Sequence, residues 1–223
     1  MILNIQKPKG MTSHDVVDEV RRMTGERRVG HAGTLDPFAA GVLIVGVGRE
    51  ATKKLGEIAK GTDKEYVVTV KLGETSTTGD PEGKLEKTGD PSSLSRKAVE
   101  DVLARFLGEI EQVPPAYSAL KVKGVPSYRL ARRGKEVPLP ARKVSIVRIT
   151  LTEFSPPFLN FEVVCSSGTY IRALARDIGS ALNVGAHVTE LTRTRVGKFT
   201  LKEAIPLSAL PSFLEKKKGL PGR

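Results

Sequence analysis

Residues 41–48 read GVLIVGVG and carry no polar side chain. A stretch this short and this apolar, bounded by glycine, has to be covered on both faces, so it predicts a buried strand. The rest of the chain must be arranged around it. Immediately before it stands GHAGTLDP (30–37), punctuated by Gly30, Gly33 and Pro37. This stretch has no helical or strand period and reads as a loop that carries His31 and Asp36 up to the buried strand. Gly, Asp and Pro make turns by themselves, so a plain turn is a sufficient local explanation. Two titratable groups on a stiff turn are also the material of a catalytic or binding site.

Local patterns place the other elements. Residues 2–6 predict a short strand ending at Lys7-Pro8. Thr12 and Ser13 can cap a helix to about Met23, whose Val16, Val17, Val20 and Met23 recur on one face before Gly25 stops it. A helix over about 50–59 is followed by KEYVVTVKLG (64–73), which alternates and sets Tyr66, Val68 and Val70 on one face. TSTTGDPEG (75–83) is a turn-rich connection, and Ser95 caps a helix through Leu107. Residues 114–141 are the least regular part, rich in Pro, Gly and cations, with Tyr117 and Tyr128 and with Glu136 as the one acid. Strands near 143–154 and 158–166 pair naturally, Thr169 caps a helix to about Leu182, and 186–201 is extended. A last short helix leads into KKKGLPGR. Helices interleaved with hairpin-like neighbours predict an α+β fold: a mixed, largely antiparallel sheet with flanking helices, and an irregular insertion at 114–141.

Composition narrows the function. In 223 residues, 36 Lys and Arg face 25 Asp and Glu, a formal net charge of +11. That excess points to a polyanion, and nucleic acid suits it better than a membrane because no basic helix has a strong apolar face. No apolar run approaches the ~18–20 residues that span a bilayer. The start MILNIQKPKG does not read as a signal peptide, and the single Cys165 allows no internal disulfide, so the cytoplasm is expected. His14, His31 and His187 share no metal-ligand spacing with each other or with Cys165. No phosphate-cradling GxxxxGK[ST], no GxGxxG after a strand and no GxSxG is present. Neither metal nor cofactor is expected. What remains are polar residues at the ends of apolar elements: Asp36, Tyr66, Tyr170 and Arg172. Read singly, the tyrosines fit a core position with one wet end and Arg172 fits a surface ion pair. Spacing alone does not bring them together.

Six blocks, in order, carry a resemblance: KPKGMTSHDVV (7–17), GHAGTLDPFAAGVLIVGVGREATK (30–53), KEYVVTVKLG (64–73), QVPPAYSALKVKGVPSYRLARRG (112–134), SSGTYIRALARDIGSAL (166–182) and AHVTELTRTRVGKF (186–199). Together they resemble the TruB family of pseudouridine synthases, from residue 3 to about 210. The resemblance implies isomerisation of uridine 55 in the T-loop of tRNA to pseudouridine, by base flipping and without a cofactor. It makes Asp36 the catalytic aspartate and Arg172 its partner; a guanidinium within ~4–6 Å lowers a carboxylate pKa by roughly 1–3 units and would keep Asp36 ionised. It assigns Tyr66 to stacking on the target base, with proton removal from C5 a further candidate role. It places His31 in the space the flipped uridine leaves, Tyr170 and Leu191 around the uracil, and Lys7 and Lys64 in support. Arg132 and Arg133, in the basic insertion, are expected to meet phosphates.

A monomer that binds the tRNA T-arm, with no metal and no membrane, is the expected assembly. Typical bacterial members carry a C-terminal PUA-like RNA-binding domain. Here the sequence stops soon after AIPLSALPSFLEKKKGLPGR, so the expected organisation is a catalytic domain over 1–210 and a basic tail over 211–223, with Lys216, Lys217 and Lys218. A PUA domain is expected to be absent or reduced. Two other functions fit the same blocks: a non-catalytic tRNA-binding or folding factor, and a guide-RNA-dependent dyskerin-type subunit. Intact Asp36 and Arg172 argue against the first, and the second requires accessory proteins.

Overall fold

The computed structural model describes residues 1–118, 120–122, 124–134 and 138–218. Lys123 and Glu136 of the insertion and residues 219–223 of the tail lie outside the described residues. Along the chain run β1 (Ile2–Lys7), α1 (Ser13–Thr24), β2 (Val29–Ala32), β3 (Ala40–Val47), α2 (Arg49–Lys60), β4 (Lys64–Leu72), β5 (Glu74–Ser76) and β6 (Leu85–Lys87). Then come α3 (Arg96–Ala104), β7 (Gly108–Gln112), β8 (Lys121–Val122), β9 (Val125–Pro126), α4 (Ser127–Ala131), β10 (Arg142–Ser155) and β11 (Phe158–Cys165). The chain closes with α5 (Ile171–Ala181), β12 (Ala186–Val196), β13 (Phe199–Thr200), β14 (Ile205–Pro206) and α6 (Leu210–Lys218). The fold is α+β with a mixed, largely antiparallel sheet. Two compact units form: Met1–Tyr66 with Leu191–Arg223, and Val67–Glu190.

In the first unit the strand order is β14-β1-β3-β12, with β2 on β3 and β13 on β12. The apolar run is the buried strand its sequence demands: Gly41 to Val47 are all buried. Leu43 and Val45 join Leu3, Ile5 and the Val16, Val17 and Val20 face of α1, together with Leu210 and Leu214 of α6. Val42 and Ile44 face the other way, onto Ala32, Leu55 of α2 and Val196. β1 pairs with β3 antiparallel from Ile2↔Gly46 to Lys7↔Gly41. On its other edge β3 would leave main-chain groups unpaired in the core, a cost that chains avoid. Residues 29–32 supply that edge, antiparallel, with His31 opposite Val45. The expectation of a loop over all of 30–37 is therefore corrected: Gly30, His31 and Ala32 are strand, and the loop starts at Gly33. α1 behaves as its sequence predicts, with Thr12 and Asp15 forming a reciprocal cap and Gly25 closing it in the left-handed region at φ 69°.

In the second unit the order is β12-β4-β11-β10-β7. β10 and β11 form the expected antiparallel hairpin, from Ile146↔Cys165 to Ser155↔Phe158. β7 extends it antiparallel, Arg142↔Gln112 to Ile146↔Gly108. α3 packs against α5 and β10. α5 begins one residue later than a Thr169 cap would place it: Tyr170 is the capping position, without a side-chain cap bond. The Thr169 hydroxyl instead donates to the Ser166 carbonyl at 2.9 Å and closes its own turn. Inside the irregular 114–141 segment, β8 pairs with β9 and leads into α4. Among the described residues no helix is long and apolar enough to cross a membrane.

Candidate active site

The loop between β2 and β3 has its backbone fixed residue by residue. The Gly33 and Thr34 carbonyls accept from the Arg193 guanidinium, at 2.9 and 3.4 Å. The Leu35 carbonyl accepts from the Ser13 hydroxyl at 3.0 Å, and the same hydroxyl accepts from the Leu35 amide at 2.9 Å. The Asp36 carbonyl accepts from the Ala39 amide. The Pro37 carbonyl accepts from the Gly10 amide at 2.8 Å and from Lys7 Nζ at 3.3 Å. Lys7 is fully buried and also donates to the carbonyls of Met11 (2.6 Å) and Pro8 (2.9 Å), so main-chain dipoles solvate its charge. Gly33 takes the left-handed turn, φ 71°, that starts the loop. Asp36 thus stands half-buried on a backbone whose carbonyls from Gly33 to Pro37 all accept hydrogen bonds.

His31 sits on β2 just before this loop. Its ring meets His14 edge-to-face, with centroids 5.4 Å apart and planes at 83°. Its Nδ1 is buried without a hydrogen bond. Burial first, then His14 and Arg193, hold the imidazole pKa down to about 4, so the ring is neutral at physiological pH. Tyr66 and Lys64 occupy the buried face of β4, and Lys64 Nζ donates to the Ala59 carbonyl at 3.2 Å. Leu191 is buried on β12.

In the second unit Arg172 lies in the first turn of α5 and is 6% exposed, so it is no surface ion pair. Nη1 donates to the Thr78 carbonyl at 2.7 Å and Nη2 to the Tyr117 carbonyl at 2.8 Å. Asp80 Oδ2 stands 3.3 Å from Nη1. Asp80 is buried too, its Oδ1 accepting from the Thr78 hydroxyl at 2.6 Å and from the Glu82 amide at 3.1 Å. Tyr170, just before α5, is held through its main chain. Its amide donates to Gln112 Oε1 at 2.8 Å and its carbonyl accepts from Gln112 Nε2 at 3.2 Å. Arg132 and Arg133 are exposed at the end of α4, with the Arg132 guanidinium 5.6 Å from the Tyr128 ring centroid.

Sequence reasoning did not single out Ser13, Asp80, Gln112 or Arg193 for these roles. Asp80 lies in TTGDPEG, where Asp next to Pro and Gly looks like turn chemistry and nothing more. Arg193 alternates in TRTR, where a basic residue looks solvent-facing. Among the described residues no three His, Cys, Asp or Glu side chains gather as a metal site would need.

A half-buried carboxylate on a pinned loop, with a neutral imidazole on the strand just before it, is material for nucleophile or base chemistry. Comparison with known proteins narrows this further. The family model described as TruB family pseudouridylate synthase (N terminal domain) matches residues 21–171. The one described as tRNA pseudouridylate synthase B C-terminal domain matches residues 172–219. The chain belongs to the TruB family. It is 52% identical over 213 residues to a tRNA pseudouridine synthase B of Mycobacterium sp. (strain KMS), covering 94% of this chain and 71% of that protein. A protein of the same name from Streptomyces coelicolor is 49% identical over 219 residues. Among solved structures, a chain of a Cbf5-Nop10-Gar1 complex superposes with a TM-score of 0.75 at 31% identity over 99% of this chain. This chain spans 56% of that one's length.

Proposed function

We propose that this protein isomerises uridine 55 in the T-loop of tRNA to pseudouridine, acting on the unguided RNA as a cytoplasmic monomer. The N1–C1′ bond breaks and a C5–C1′ bond forms; C5 loses a proton and N1 gains one. The product is an isomer of the substrate, so neither electrons nor an energy-rich co-substrate enter. The uridine must first leave the stack, at a cost of a few kcal/mol that pocket contacts recover. A neutral, flat His31 is suited to fill the gap because it brings no charge that needs water. Asp36 is the proposed catalytic carboxylate, as nucleophile or base. Arg172 and Tyr66 are the proposed catalytic partners, and Tyr170 and Leu191 the walls of the uracil pocket. Lys7 and Lys64 hold the surroundings, and Arg132 and Arg133 meet phosphates.

The pinned loop is the observation that carries this reading. Catalysis by a fixed charge works only if the charge does not have to be reorganised during the reaction. Hydrogen bonds to every carbonyl from Gly33 to Pro37 supply that condition for Asp36. The test is the pure chain on a T-arm hairpin labelled with tritium at C5 of the target uridine. Tritium release with pseudouridine in the product is expected from the wild type. Asp36→Asn should lose turnover entirely while its hairpin affinity stays within about tenfold, because shape and basic surface are unchanged. Turnover at the wild-type rate in Asp36→Asn would remove Asp36 from the mechanism. A hairpin bound but never converted by the wild type would favour a tRNA-binding factor.

A further inference from the structure

Arg193 has a geometry that a packing role does not account for. It is 1% exposed, on β12. Its Nε donates to the Val42 carbonyl at 2.8 Å, and its two Nη atoms donate to the Gly33 and Thr34 carbonyls. None of these partners is a carboxylate. Burying a charge without a counter-charge is costly, and a similar-sized apolar side chain would fill the same volume more cheaply. What a guanidinium adds is direction: a planar fork with donors at fixed angles. The root of that fork is fixed as well. Arg193 pairs with Gly41 in the parallel β12–β3 register. A Cβ on Gly41 would collide with the Arg193 backbone. One side chain, rooted against the start of β3, therefore sets where the preceding loop begins.

We propose that Arg193 is a positioning residue for the reaction: it fixes the 33–37 loop against β3, and through the loop it aims Asp36 and His31. This rests on the proposed reading of that loop as catalytic. Arg193→Lys keeps the charge but not the fork, and Arg193→Gln removes the charge and is easier to bury. Both are compared with wild type for thermal melting, hairpin affinity, single-turnover rate and amide exchange.

A misplacement of about 1 Å can cost on the order of 100-fold in rate, and a single-turnover loss of about that size is expected in Arg193→Lys, with affinity within about threefold. The Leu35 amide, which donates to Ser13, should exchange at least about tenfold faster while amides of β1 paired to β3 stay protected; a merely structural role would loosen both together. A folded Arg193→Lys with wild-type rate and Leu35 exchange would overturn the proposal. So would failure of both variants to fold, which would make Arg193 a core residue, and so would a loss of affinity as large as the loss of rate. If the wild type makes no pseudouridine, the reading of function fails instead, and the Leu35 exchange in the two variants still decides whether Arg193 positions the loop.

Discussion

His31 shows how much one residue's surroundings decide. An ordinary histidine protonates near pH 6.5, whereas this one, half-buried and near His14 and Arg193, does so only at about 4. Between those values the unfolded chain binds a proton that the folded chain refuses, so stability rises with pH across that window and is lost on acidification through it. At about 1.4 kcal/mol per pH unit the full effect is roughly 3 kcal/mol, an upper bound because the ring is only half-buried. Urea unfolding of the wild type should therefore show a falling midpoint from pH 6.5 to 4.5, and His31→Phe should flatten that fall. An identical pH slope in the two proteins would mean that other groups carry the acid sensitivity. His31 and Asp36 were legible as candidate chemistry because Gly33 and Pro37 stiffen the same few residues. Arg193 was not, since its meaning lies in carbonyls about 160 positions away. No local pattern encodes such a pairing.

Elements were easier to read where one face is buried and the ends are capped. β3, α1 and β4 follow directly from an apolar run, a cap ahead of a periodic apolar face, and an alternation. β2 did not, because Gly30 and His31 have no strand signature, and their strand exists only because the second edge of β3 needs a partner. The turn over 75–83 is a similar case. Its sequence looks like connection, yet Asp80 and the Thr78 carbonyl tie it to the first turn of α5 through Arg172. The Asp80 and Arg172 side chains are each only 6% exposed, so this pair belongs to the class whose disruption is costly. Removing one partner of such a pair typically costs about 3–5 kcal/mol, because the other charge stays buried. Asp80→Asn should lower the unfolding free energy obtained from urea melts by an amount in that range, at an unchanged m-value. Arg96→Gln, which breaks the exposed Arg96–Glu100 pair, should cost less than about 1 kcal/mol. Equal effects of the two substitutions would show that the 75–83 turn does not depend on the ion pair.

For the whole molecule the governing quantity is charge. A net +11 predicted a polyanionic partner before any element was placed, and the family match bears on the same class of partner. Composition does not say where the phosphates lie. α4 offers one answer: Arg129, Arg132 and Arg133 are exposed there, and the Arg129 and Arg132 guanidiniums stand 6.0 and 5.6 Å from the Tyr128 ring. These cations have no acidic partner in the described part of the segment, whereas Arg96 and Lys97 on α3 are paired with Glu100 and Asp101. Each phosphate that the protein ceases to neutralise takes roughly 0.7–0.9 off the slope of log affinity against log salt. Arg132→Gln with Arg133→Gln should therefore flatten the slope for tRNA by about one to two units. Arg96→Gln with Lys97→Gln removes the same formal charge and should leave the slope within about 0.3 of wild type, because those cations already have their anions. Equal flattening by both pairs would mean that the RNA responds to the overall field of the protein, and an unchanged slope in the α4 pair would mean that its cations face only water.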